Sequence, residues 1–198
     1  MDLGRASWTP AVLATKKCLM LRSLAYWLPL ASVAFSACGG PEASAPLRAL
    51  PAYESRDAAL FDDAIEASAV GLNLEDSAPV RADAVLRERT QTGDAVVRVR
   101  VETVTASADS EGTRYQIALR PLATLAGTRA PSGTFTVVVD KRSPAMGIVK
   151  SFDARLGGKT FVAFIREFQT GEERRFHFHF AADSKEVNAA VREAVDLQ

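Results

Sequence analysis

Cysteine and histidine are the scarcest reactive residues in this 198-residue chain, which contains two of each. Both cysteines, Cys18 and Cys38, lie in its first fifth. A disulfide framework and a cysteine-based metal site are therefore excluded after Cys38. Neither sign of charge predominates, because 24 basic and 24 acidic residues give a formal net charge of +0. No large positive field suggests nucleic acid as a partner.

Long apolar runs are absent apart from one, the uncharged residues 23–37 (SLAYWLPLASVAFSA). This run is shorter than the about 20 residues that a membrane-spanning helix needs, and Pro29 interrupts it. Lys16, Lys17 and Arg22 precede it, and a basic start before a short apolar run is typical of a secretory signal peptide. We therefore predict a signal peptide over residues 1–37 in preference to a buried core helix. Translation starts either at Met1 or at Met20, and a start at Met20 makes residues 1–19 a gene-model extension.

The predicted signal peptide ends in Phe35, Ser36 and Ala37, and Cys38 and Gly39 follow it. This motif resembles the lipobox of bacterial lipoproteins, with Phe35 where Leu, Val or Ile is usual. The resemblance implies cleavage before Cys38 and attachment of acyl chains to that residue. Two acyl chains give stable membrane anchoring where a single chain does not. We expect an exported protein anchored by lipid to the bacterial cell envelope, at the outer membrane, facing the periplasm or the cell surface.

The residues after Cys38 divide into three predicted parts. Residues 38–53 are rich in Gly, Pro, Ala and Ser, which predicts a flexible linker behind the lipid anchor. Residues 54–92 are predicted to contain a helix over residues 55–67 and then an irregular segment with a helical turn. Asp62, Asp63 and Glu66 share the polar side of that helix. They form either a cation site or a solvated acidic face, and we favour the acidic face because calcium sites use a ligand-rich loop.

From Gly93 onward, apolar residues recur at every second position, which is typical of half-buried strands. Residues 93–198 are predicted to form a β-barrel domain with a C-terminal amphipathic helix. The predicted strands are residues 94–106, 113–125, 133–140, 160–168 and 173–180. We therefore predict a mainly β fold with flanking helices, namely a five-stranded antiparallel Greek-key barrel or curved sheet. A short helix precedes the strands, and a helix with an apolar stripe follows them.

Three stretches, DAVVRVRVETV, RYQIALRPLATLAG and GIVKSFDARLGGKTFVAFI, resemble the OB-fold module of netrins and tissue inhibitors of metalloproteinases. The resemblance implies an OB-like barrel and, as an alternative function, a secreted inhibitor or regulator of a hydrolase or protease. The disulfide cysteines of that family are missing here, as is its free N-terminal cysteine.

His177 and His179 are the two histidines, placed so that both project from one face of the last predicted strand. Phe176, Phe178 and Phe180 project from the other face. The pair is a candidate for metal binding, but a catalytic zinc site needs three protein ligands. We favour a solvent-facing polar row and expect no cofactor. Similarly, the basic residues Lys159, Arg166, Arg174 and Arg175 suggest either an anion site or an exposed face of mixed charge, which we favour.

Motifs of catalytic chemistry are missing from the sequence, which has no glycine-rich phosphate loop and no Gly-x-Ser-x-Gly elbow. Two adjacent histidines on one strand give little support to a Ser-His-Asp triad. We therefore predict a non-enzymatic β-domain that binds or scaffolds an envelope protein, with the membrane contacted through the lipid anchor.

Overall fold

The computed structural model describes residues 49–72, 80, 83–110 and 112–198. The predicted signal peptide, Cys38 and the linker up to residue 48 lie outside these residues. In chain order the elements are α1 (Ser55–Leu60), β1 (Ala64–Ile65), a 3₁₀ turn (Ala67–Val70), α2 (Ala84–Thr92), β2 (Ala95–Asp109), β3 (Gly112–Gly127), β4 (Phe135–Val139), α3 (Met146–Leu156), β5 (Thr160–Thr170), β6 (Glu173–Ala182) and α4 (Lys185–Asp196).

The strands form one six-stranded sheet in the order β1-β6-β5-β2-β3-β4, which curls into a half-barrel. Only β1 and β6 run parallel to each other, and the remaining neighbours are antiparallel. Strands β2, β3 and β4 follow one another, and β5 returns to lie beside β2, which is the Greek-key order. The predicted β-rich fold with helices is confirmed. The predicted strand number, five, is wrong because the two-residue strand β1 adds a sixth.

Apolar side chains cover both faces of the central strands and form two cores. In β2, Val97 and Val99 belong to the larger core, whereas Val96, which directly precedes Val97, belongs to the smaller core on the opposite face. The larger core also takes Phe178 and Phe180 from β6. The smaller core is covered by apolar residues of α1, α2 and α4. The helices therefore bury the second face of the sheet, which the alternation of the sequence would have predicted to be polar and exposed.

The helices differ from their predicted bounds in ways that matter for the site. α1 ends at Leu60 rather than at residue 67, because the backbone leaves helical geometry at Phe61 (φ −116°, ψ 64°). Asp63 then adopts a left-handed conformation (φ 52°), which prevents a helix from continuing through it. α3 occupies the stretch between the third and fourth predicted strands, where no helix was predicted, and it buries Val149 and Leu156, which lie two turns apart on the same face. α4 is confirmed, with Ser184 as its cap through a bond from the Val187 N–H.

Candidate functional site

The segment of residues 61–66 lies along the outer edge of β6 and carries three carboxylates onto it. The Asp63 N–H donates to the Phe178 carbonyl at 2.9 Å, and the Glu66 N–H donates to the Phe180 carbonyl at 2.9 Å. Between these bonds, Ala64 pairs with His179 in the parallel register of β1. This backbone pairing places Asp62, Asp63 and Glu66 over the two histidines of β6.

His177 is buried, with 3% of its surface exposed, and both of its ring nitrogens have protein partners. Its Nδ1 lies 2.9 Å from Asp63 Oδ2, and its Nε2 lies 3.2 Å from the hydroxyl oxygen of Thr170. Because an ionised carboxylate only accepts, Nδ1 carries the proton and donates to Asp63. In the neutral imidazole, Nε2 is then the acceptor for the Thr170 hydroxyl, a group that can donate as well as accept.

His179 has a different set of partners, although it is only two residues away on the same strand face. Its Nδ1 lies 2.8 Å from Asp62 Oδ1, and its Nε2 lies 3.3 Å from Glu66 Oε1. Two carboxylates require two donors, so the geometry selects the doubly protonated imidazolium. Burial lowers the pKa of His179, but the hydrogen bonds to Asp62 and Glu66 outweigh it and raise this pKa above its usual value.

Asp63 links the histidines to the rest of the domain. Its side chain is buried, its Oδ1 accepts from the Phe178 N–H at 3.2 Å, and Arg175 lies 3.6 Å from its Oδ2. Burial raises the pKa of this carboxyl, and the bond from His177 and the charge of Arg175 partly oppose that rise. Asp63 is therefore a desolvated carboxylate that depends on its cationic and hydrogen-bonding neighbours.

Tyr53 covers the His177 ring. The two rings are stacked, with centroids 3.4 Å apart and planes 10° from parallel, and the Tyr53 hydroxyl donates to the Phe61 carbonyl at 2.6 Å. Burial, and then the charge of Asp63, raise the pKa of Tyr53 well above its usual value, which keeps the phenol protonated. Tyr53 thus fixes the imidazole plane and shields it from water.

Arg175 joins β6 to β4, the two strands that face each other across the open side of the half-barrel. Its Nη2 donates to the Val138 carbonyl at 2.8 Å, and its Nη1 lies 3.4 Å from Asp140 Oδ2. Burial raises the pKa of Asp140, but a bond from the Arg142 N–H and the charge of Arg175 hold it below its usual value. One arginine therefore connects the acidic cluster with the strand at the far edge of the sheet.

Two predictions about these side chains are wrong. His177 and His179 do not form a solvent-facing row, because the segment of residues 53–66 covers their face of β6. The acidic residues do not form a solvated helix face, because the helix ends before them and Asp63 is buried. Sequence alternation shows that one face of β6 is polar, but it does not show what packs on that face.

The basic residues of β5 and β6 do not gather into one cationic site. Arg166 pairs with Asp57 at 2.7 Å, Arg174 with Glu167 at 3.4 Å, and Arg175 with Asp140. Each guanidinium is thus matched by a carboxylate, which agrees with the predicted mixture of charges, but the predicted exposure is wrong for Arg166 and Arg175, which are partly buried. Only Arg174 of these three is mainly exposed.

Two residues of the cluster, Tyr53 and Thr170, were not predicted from the sequence. Tyr53 fell at the end of the predicted linker, yet the chain is already docked at Pro51, whose carbonyl accepts from the Gln169 N–H at 2.9 Å. Thr170 ends β5 and has no local pattern that distinguishes it from other strand threonines. A conserved pair with His177 in related sequences would be the signal that could reveal it.

Within the described residues, no group of three or more His, Cys, Asp or Glu side chains is arranged to hold a metal ion. No helix in that part of the chain is long and apolar enough to cross a bilayer. No protein-family model matches the sequence, and no curated protein matches it significantly. Fold and site together define a curled mainly β domain with a buried cluster of histidines and carboxylates.

Proposed function

We propose that this chain is a bacterial lipoprotein whose β-domain binds or scaffolds a protein of the cell envelope. The observation that carries the proposal is the motif from Phe35 to Gly39, with Cys38 at the position that takes the lipid. The bond between Pro51 and Gln169 supports it, because it leaves the residues between Cys38 and Pro51 as a spacer. Fully extended, such a spacer reaches on the order of 40 Å, enough to hold a small domain clear of a bilayer surface.

The long β2–β3 hairpin supports a binding role. β2 pairs with β5 only from Ala95 to Arg100, and one further bond pair joins Val101 to the turn before β5. From Glu102 onward, β3 is the one described strand that pairs with β2. The outer edge there presents exposed small and β-branched side chains such as Thr103, Thr105 and Ser107. An open strand edge with little charge is suited to adding an extended segment of a partner.

The OB-like identity of the domain is also a proposal. Strands β2 to β6 lie in the order β6-β5-β2-β3-β4, so closing the sheet would bring β4 next to β6. The Arg175 side chain bonds to the Val138 carbonyl across that seam. A five-stranded Greek-key barrel that is partly open fits the OB-fold. This likeness keeps inhibition or regulation of a hydrolase as the alternative function.

The anchor is tested by mass spectrometry of the mature N-terminus after export in a Gram-negative host. We expect an N-terminal Cys38 carrying acyl chains, and we expect the Cys38→Ser variant to leave the membrane fraction. Cys18→Ser is the matched control and should fractionate like the wild type. An unmodified Cys38, or an uncleaved signal, would overturn the proposal.

The binding role is tested with a photo-crosslinking amino acid placed at Thr105 on the open edge or at Arg192, an exposed residue of α4. A partner captured from Thr105 and not from Arg192 supports binding through the hairpin, and Thr105→Pro in the same chain should weaken its recovery. If the captured protein is a hydrolase whose activity falls, the inhibitor alternative is favoured. Equal capture from both positions contradicts binding at this edge.

A further inference from the structure

Thr170, His177 and Asp63 lie in a row in which each side chain is bonded to the next. The Thr170 hydroxyl oxygen is 3.2 Å from His177 Nε2, and His177 Nδ1 is 2.9 Å from Asp63 Oδ2. The three residues come from the end of β5, the middle of β6 and the turn before β1. A hydroxyl, an imidazole and a carboxylate in this connectivity have the geometry of a nucleophile, its base and the group that orients the base.

The protonation states follow from the partners. Asp63 accepts a hydrogen bond from the protonated Nδ1 of His177, which in the neutral imidazole leaves the lone pair of Nε2 directed at the Thr170 hydroxyl. The imidazole can therefore accept the hydroxyl proton, and the resulting imidazolium is stabilised by the carboxylate behind it. His179, which is held as a cation by two carboxylates, has no free lone pair and cannot act in this way.

The base is held rigidly. Tyr53 stacks on one face of the His177 ring, and Phe168 approaches it edge-on with centroids 5.7 Å apart. Asp63 is fixed in turn by the bond from the Phe178 N–H to its carboxylate and by the bond from its own N–H to the Phe178 carbonyl. Rotation of the imidazole is thus blocked before any substrate binds, which is the preorganisation that a general base requires.

The nucleophile is accessible although its base is buried. Thr170 is half-buried, and the turn residues after it, Gly171 and Glu172, are exposed, as is Glu173. A reacting group can approach the hydroxyl from the solvent side of this hairpin end while His177 stays covered. The exposed carboxylates of Glu172 and Glu173 favour uncharged or cationic reactants over anionic ones.

We propose that Thr170 is a nucleophile for acyl transfer from carboxylic esters with good leaving groups. The Thr170 oxygen bonds to the ester carbonyl carbon as its proton passes to His177 Nε2. The bond to the leaving alkoxide then breaks, and the proton on Nε2 passes to that alkoxide. Water attacks the acyl-threonine with His177 again as base, which releases the carboxylic acid and restores the Thr170 hydroxyl. This activity goes beyond the proposed binding role and departs from the expectation of a non-enzymatic domain.

The test uses the purified full chain with p-nitrophenyl acetate, following p-nitrophenolate release and mapping acetyl groups on peptides after acid quenching. We expect release above the buffer rate and an acetyl group on Thr170. Thr170→Val removes the hydroxyl but preserves the shape of the side chain, and it should lower the protein-dependent rate about 100-fold or more. Thr170→Ser restores a hydroxyl and should restore activity.

Thr136→Val, at an exposed threonine of β4, is the matched control and should retain the wild-type rate. Thermal melts of all variants establish that they are folded. The proposal is overturned if folded wild-type protein shows no acetyl group on Thr170, or if folded Thr170→Val hydrolyses the ester as fast as the wild type.

Discussion

His177 and His179 project from the same face of β6, two residues apart, and they have different partners. His177 faces one carboxylate and one hydroxyl, which a neutral imidazole satisfies, whereas His179 faces two carboxylates, which call for an imidazolium. The partners that distinguish the two histidines come from a segment distant in sequence, because Asp62, Asp63 and Glu66 lie more than 100 residues before β6 and bond to it only in the folded domain. One strand thus holds a base and a cation side by side.

The charge on His179 predicts how stability depends on pH. Its pKa is raised in the folded state, so its contribution is complete below the unfolded value of about 6.5 and is lost as pH rises through the folded pKa. The charged groups that face it are Asp62, Glu66 and Arg89. We expect the free energy of unfolding of the wild type to exceed that of His179→Gln by less at about pH 9 than at about pH 6. Urea denaturation at both pH values measures this difference, and a difference that does not change with pH contradicts the assignment.

Asp63 combines a buried charge with a left-handed backbone, and substitutions can separate the two. Asp63→Asn retains a side chain that tolerates positive φ but removes the charge, and it should cost about 3 kcal/mol because Arg175 loses a buried partner. Asp63→Ala should cost about 1 kcal/mol more, since alanine is strained at φ 52°. Asp63→Gly relieves that strain without restoring the charge. Equal losses for alanine and glycine would show that the backbone strain contributes nothing.

Gly127 lies at the base of the β2–β3 hairpin, where the neighbouring backbone leaves no room for a side chain. A Cβ added there would lie 2.4 Å from the Asp94 carbonyl oxygen, at φ 82°. Gly127→Ala should therefore destabilise the domain by about 2 kcal/mol or more. Gly133→Ala is the matched control, because its added Cβ meets no atom within 4 Å. Chemical denaturation of both variants measures the contrast, and similar stabilities would mean that the β2–β3 base relaxes freely.

Arg175 predicts which strand loosens when the seam of the half-barrel is weakened. Arg175→Lys keeps the charge but cannot bond the Val138 carbonyl and Asp140 with one planar group. We expect faster amide hydrogen exchange in β4, while the pairing between β2 and β5 retains its protection. Uniform acceleration across the sheet would instead indicate a global loss of stability. Arg174→Lys, whose arginine pairs with Glu167 on the exposed side, is the control.

The strands and the final helix were predictable because each has a local period. Val97, Val99 and Val101 alternate with the exposed Arg98 and Arg100 in β2. Val187 and Val191 lie on one buried face of α4. A half-buried surface imposes this repeat directly on the sequence, so five of the six strands lie where the alternation predicts them.

The candidate site was not predictable, since its residues meet only through tertiary contacts. The separation between Asp63 and His177 spans more than half of the chain, and no local repeat links them. The helix prediction over residues 55–67 was wrong, because Leu60, Phe61 and Ile65 have the spacing of a helix face in the sequence, yet in the structure Leu60 ends α1, Phe61 follows it and Ile65 lies in β1. The positive φ of Asp63, which divides them, is invisible to a periodicity argument.

The bond from the Gln169 N–H to the Pro51 carbonyl determines where a mechanical load enters the domain. Tension applied to the chain ahead of residue 49 reaches this contact first, then the Tyr53 stack, and only afterwards the carboxylates that clasp β6. Because this same segment covers His177, we expect tension on the N-terminal side to load the cover of the buried imidazole before it loads the strands of the Greek key.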